Sequence, residues 1–143
     1  MKFELNNYLG EWFEIARIIN NFEPNMTNVT AKYTLNSSND IEVINKGYID
    51  GQLFQIKGIA KTTNTPNLLK VSFFNNLFSD YKILFIDENY QYALVGGKSP
   101  NYLWILSRTK ELDEAIVKKL ISMAKEHKYN VEKIGFTKQT DII

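Results

Sequence analysis

Cysteine is absent from the 143 residues and histidine occurs once. Without thiols these residues form no disulfide framework, thiolate zinc site or cysteine nucleophile, and they hold no cysteine to lipidate. A lone histidine, His127, supplies neither a histidine-based triad nor a multi-histidine metal cage, so no metal and no cofactor is expected. Long hydrophobic runs are missing as well. No stretch approaches the ~20 apolar residues that span a bilayer, and Met1 to Gly10 lack an apolar run of signal-peptide length. The chain as written is therefore expected in the cytoplasm, without a transmembrane segment. An excess of one charge is also lacking, since 17 basic and 16 acidic residues leave a net charge of +1. That balance gives no electrostatic reason to expect nucleic acid and leaves a small neutral or amphiphilic partner open.

What is present is a core-forming composition. Apolar residues make up 44%, aromatics 13% and charged residues 23%, which suits one compact domain over residues 1–143, as a monomer or homodimer. From Trp12 to Arg108 short runs rich in Val, Ile, Tyr, Phe and Thr alternate with Asn, Gly, Asp, Ser and Pro clusters. Strands are expected near 11–19, 28–35, 41–49, 53–62, 68–74, 80–87, 90–97 and 102–108. Asp50-Gly51, Asn75-Asn76, Asp87-Glu88-Asn89 and Gly97-Lys98-Ser99-Pro100-Asn101 are turn chemistry, and links this short make neighbours antiparallel.

The period then changes. Ile116, Val117, Leu120, Ile121 and Ala124 form one helical stripe opposite Lys118, Lys119, Lys125 and Glu126, with Asp113 as N-cap, so a helix is expected over 113–127. His127 falls at its exposed end. A short last strand follows near 131–137. Eight antiparallel strands leave two exposed edges unless the sheet closes, so the fold class is all-β: an eight-stranded up-and-down barrel over 10–109, with the helix packed outside. At that strand number the interior holds one small ligand. In the first strand, alternation puts Trp12, Glu14, Ala16 and Ile18 on one face and Phe13, Ile15 and Ile19 on the other.

Three stretches then point to a family. Gly10-Glu11-Trp12 at the start of the first strand resembles the opening motif of the lipocalins. Tyr102-Leu103-Trp104-Ile105-Leu106-Ser107-Arg108-Thr109 is similar to their third motif, and Asp87 to Val95, with Tyr92, resembles the second but is one residue longer. Val43 to Tyr48 and Leu69 to Phe74 are similar to the bacterial and apolipoprotein D-like branch. The resemblance implies structural roles for Gly10, Trp12, Asp87, Tyr92 and Arg108, with the Arg108 guanidinium over a Trp12 plug at the narrow end. Bacterial members are usually outer-membrane lipoproteins, so a trimmed N-terminus would imply a periplasmic or outer-membrane location instead.

Inward parity and the family register imply a cavity lined by Glu14, Val29, Ala31, Tyr33, Asn45, Gly47, Phe54, Ile56, Leu69, Val71, Phe73, Tyr81, Ile83, Val95, Tyr102 and Trp104. A mostly apolar cleft with a few placed polar groups suits an amphiphile such as a fatty acid or lysophospholipid, bound without chemical change. Glu14 stands out, because a buried carboxylate needs partners. It either positions a ligand head, with Asn45 or a tyrosine bonded to it, or closes a structural polar network. Two other readings stay open: an enzyme acting on a lipid or isoprenoid in the same cup, and a barrel filled with side chains that works as an interaction module.

Overall fold

The computed structural model describes residues 3–19, 26–74 and 76–140; Asn75 of the expected Asn75-Asn76 turn lies outside them. A short helix α1 (Leu5–Tyr8) precedes β1 (Gly10–Ile18), β2 (Thr27–Leu35), β3 (Ile41–Ile49), β4 (Gln52–Thr62), β5 (Leu68–Ser72), β6 (Ser79–Ile86), β7 (Tyr92–Gly96) and β8 (Leu103–Ser107). Helix α2 (Glu114–Glu126) and β9 (Ile134–Phe136) complete the order. The expected strands and helix are all present. The expected last strand is shorter, because Val131–Lys133 forms a 3-10 turn first, and α1 was not anticipated. Among the described residues no helix is long and apolar enough to cross a membrane.

Every neighbouring pair from β1 to β8 is antiparallel, and β1 bonds to both β8 and β2, which closes the barrel. β9 adds outside, along the upper part of β1. Turn chemistry sets the joints. At Asp50-Gly51 both residues have positive φ, 51° and 80°, the backbone of the two-residue hairpin turn whose twist matches its strands.

Two cores result. The inner one fills the lower barrel with Trp12, Ile41, Val43, Leu69, Ile83, Ala93, Val95 and Leu106, closed below by Phe3 and by Tyr8 at the end of α1. The outer one lies between the barrel wall and α2, where Val117, Leu120 and Ala124 meet Ile15, Ala16, Ile18, Leu94, Leu103 and Ile105. Asp113 caps α2 as expected, accepting the Ala115 N–H at 2.8 Å, and His127 is exposed at its C-cap.

The alternation expected in β1 holds only as far as Glu14. The β1–β8 register shifts between Glu14 and Ala16, one extra residue on β1. Ile15, Ala16 and Ile18 therefore all belong to the outer core, and Arg17 turns to the cavity. The expected shared face of Trp12, Glu14, Ala16 and Ile18 is thus corrected by a bulge that carries no glycine to announce it.

Candidate functional site

Above the inner core the barrel encloses a cavity of about 580 Å³, within the ~300–1,000 Å³ common for small-molecule pockets. The interior is not filled with side chains, which rules out the solid-barrel reading. The links after β3 and β7, with the described part of the link after β5, stand at its mouth; α1 and the links after β2, β4 and β6 stand at its floor.

Most of the expected wall is brought together there. Glu14, Val29, Ala31, Tyr33, Asn45, Gly47, Phe54, Ile56, Val71, Phe73, Tyr81, Val95 and Trp104 border the cavity. Leu69, Ile83 and Tyr102 do not. Leu69 and Ile83 face inward but lie in the packed lower core, while Tyr102 sits in the β7–β8 turn, 47% exposed, its ring beside Gly97. Arg17, Met26, Thr30, Val43, Lys46, Gln55 and Leu106 also border the cavity and were missed. Val43 and Leu106 share inward parity with Asn45 and Trp104, so alternation alone would have found them; Arg17 was hidden by the bulge. Met26 fits where Gly47 leaves room, since a Cβ on Gly47 would stand 2.6 Å from its sulfur.

Glu14 is 4% exposed, and its carboxylate is bonded on both sides. Thr137 Oγ1 donates to Oε2 at 2.5 Å and Arg17 Nε to Oε1 at 3.1 Å. Neither Asn45 nor a tyrosine is among these partners, which corrects the expectation. Burial pushes the carboxyl above its usual range, against the lowering pull of Arg17 and Thr137. The resulting group is an internally neutralised acid and guanidinium pair on a wall that is otherwise mostly apolar.

At the lower end the polar atoms are neutral. The Tyr81 hydroxyl bonds to those of Tyr33, at 2.7 Å, and Tyr8. Burial pushes the Tyr33 phenol up to about 12 and raises those of Tyr8 and Tyr81 well above their usual value. These three hydroxyls stay protonated at any physiological pH and offer hydrogen bonds without charge.

Below them lies a stapled plug. Trp12 is fully buried and donates its indole N–H to the Tyr8 carbonyl at 2.8 Å. Arg108 lies over the indole with Cζ 3.8 Å from the ring centroid. Its guanidinium also donates to five carbonyls: Tyr90 through Nε (3.2 Å), Glu11 through Nη1 (3.0 Å), and Asn7, Tyr8 and Leu9 through Nη2 (2.9, 3.2 and 3.0 Å). Gly10 lets it approach, with φ 105° and an ideal Cβ only 3.3 Å from Nη1. Asp87 organises the neighbouring turn by accepting the Asn89 and Gln91 N–H groups, and Tyr92 stacks on Phe85 outside the barrel.

The sequence model of the "Lipocalin-like domain" family matches residues 3–139 of this chain. The chain belongs to the lipocalin family. This lipocalin is 40% identical over 142 residues to the outer membrane lipoprotein Blc of Vibrio cholerae, spanning 96% of this chain and 83% of that one. It is 34% identical over 151 residues to mouse apolipoprotein D, spanning 97% and 78%. Among solved structures, lobster apocrustacyanin A1 superposes with a TM-score of 0.76 over 95% of this lipocalin and 79% of that chain. At 21% identity that likeness speaks for the fold alone. Membership fits the geometry: the family binds small hydrophobic molecules in such a calyx, and this lipocalin has one.

Proposed function

We propose that the protein carries or stores a lysophospholipid or fatty acid in its cavity, tail down and head toward the mouth, without changing it chemically. The observation that carries this reading is the distribution of polarity. The cavity wall is mostly apolar, its lower polar atoms are uncharged phenols, and its charged side chains, Glu14, Arg17 and Lys46, stand on the middle and upper strands. Burying a tail stabilises by about 0.8 kcal/mol per methylene, enough for a chain of ordinary length to bind tightly.

The Glu14–Arg17 pair favours a zwitterionic head. An isolated carboxylate repels a free fatty acid, and an isolated guanidinium attracts any anion; a bonded pair presents both signs. The residues proposed to contact ligand are Glu14, Arg17, Val29, Ala31, Tyr33, Asn45, Gly47, Phe54, Ile56, Val71, Phe73, Tyr81, Val95 and Trp104. The bacterial relatives named outer membrane lipoproteins support an envelope location over the cytoplasmic one read from the sequence.

Native mass spectrometry after gentle extraction tests the reading. A co-purifying amphiphile of constant mass is the expected result. Loss of mass from that ligand on incubation would show an enzyme, and a protein that takes up neither added lysophosphatidylcholine nor an added long-chain fatty acid would sink the proposal.

A further inference from the structure

Among the described residues the barrel wall is interrupted at two places on the mouth side, and the C-terminal segment mends one of them. β1 and β2 pair from Gly10–Phe13 against Thr30–Tyr33; above that, the C-terminal segment fills the seam. Thr137 N–H donates to the Ile15 carbonyl at 2.9 Å and Asn28 N–H to the Lys138 carbonyl at 2.8 Å. Gln139 Nε2 bridges the carbonyls of Glu14 and Val29 at 2.8 and 2.9 Å. The second interruption lies beside β4, which pairs with β5 only across Ile59–Thr62. Among the described residues, 52–58 thus have a strand neighbour on the β3 side alone.

The flank so opened is apolar and wet. Phe54 and Ile56 border the cavity and are nonetheless 42% and 51% exposed, so the inside of the barrel continues onto its surface here. In the adjoining β5–β6 link, Phe74 and Leu77 are each 70% exposed. Soluble monomers seldom leave connected apolar surface of this kind without a use for it. The chain from Phe73 to Ser79 carries no charge, while Lys61 Nζ lies 5.9 Å from the Phe78 ring. Uncharged aromatic and leucine tips with a lysine behind them match the interfacial layer of a bilayer, oily below and phosphate-bearing above. A strand from a second copy fits less well: Phe73 is packed so closely on Gly58 that a Cβ there would stand 2.5 Å from its ring, which occupies the foot of the exposed edge.

We propose that this flank docks on a lipid bilayer with Phe74 and Leu77 inserted, and that an acyl chain passes sideways over Phe54 and Ile56 into the cavity. The passage rests on the amphiphile reading above; the docking does not. The test is sedimentation of the full chain with phosphatidylcholine vesicles containing a minority of phosphatidylglycerol, beside the variant Phe74→Ser/Leu77→Ser. Neither substituted residue borders the cavity. Binding of monomeric lysophosphatidylcholine in solution is followed in parallel through Trp104 fluorescence. The wild type should partition onto vesicles, the variant should lose roughly tenfold or more of that partitioning, and the solution affinity should agree within about twofold. A wild type that stays in the supernatant, or a variant that sediments equally well, overturns the docking. So does a wild-type dimer that the same substitutions dissociate. Vesicle binding with no uptake of lysophosphatidylcholine or of a long-chain fatty acid in solution upholds the docking and overturns the passage together with the carrier reading.

Discussion

Replacing Arg108 by lysine keeps its charge and discards its shape, and so separates two ways of holding the barrel floor. The guanidinium reaches five carbonyls in three directions and lies flat on Trp12. An ammonium has one nitrogen, which serves one of those directions, and no plane to stack. The abandoned carbonyls are half in water and recover part of their bonding there, so each is worth about 1 kcal/mol rather than the larger value of a buried charged bond. Adding the weakened ring contact, about 0.5–1 kcal/mol at a half-exposed site, gives a loss of about 3 kcal/mol. A chain of 143 residues has an unfolding entropy of ~0.3 kcal/mol/K, so Tm should fall by about 10 °C. Near-UV circular dichroism through the melt, where the Trp12 indole reports on its packing, is the assay. Arg108→Gln, which loses charge and fork together, should fall at least as far. If Arg108→Lys melts within ~2 °C of the wild type while Arg108→Gln drops, charge rather than the fork holds the floor and the reasoning fails.

Three further expectations follow from the cavity. In an alkaline titration followed by phenolate absorbance, Tyr8, Tyr33 and Tyr81 should not ionise until the protein unfolds. Their folded values lie above the unfolded ~10, so the stability they confer is present below that pH and drains away as pH climbs toward about 12 for Tyr33; a folded sample in which more than five of the eight tyrosines form phenolate contradicts this. Glu14 has a raised folded value, so the fold binds more protons than the unfolded chain from pH ~4.3 upward and stability declines with pH there. Denaturant melts of Glu14→Gln at stepped pH should lack that decline, and a variant with the wild-type slope refutes the assignment. Ala31→Trp places an indole in the cavity and should reduce lysophosphatidylcholine affinity about tenfold or more while the far-UV spectrum is kept; undiminished binding would put the ligand elsewhere.

The alternating strands and the helical stripe were plain in the sequence because burial on one side imposes a period, and the period survives in residue choice. Gly10, Trp12 and Arg108 marked the floor by another route, the resemblance to the lipocalin motifs, and each occupies a place that few other residues fit. Departures from period were invisible. Ile15 is as apolar as an ordinary strand residue, yet the bulge there carries Arg17 to the cavity and gives Glu14 its partner. The depth of the cavity floor was equally hidden: Leu69 and Ile83 have inward parity, and whether such a residue meets ligand or core depends on height in the barrel, which alternation does not encode. Thr137, the other partner of Glu14, is separated from it by more than a hundred residues of chain, a distance over which no local pattern operates.

The mended seam between the first two strands has a bearing on how the molecule is handled. Because the wall there is finished by Thr137 to Gln139, trimming the chain back to Phe136 should turn a fixed stave into one that breathes, visible as faster amide exchange at Asn28, whose N–H loses the Lys138 carbonyl. A label on Gln139 would sit beside the rim of the cup, whereas one on the outer face of α2, for example at Lys118, would leave the opening clear.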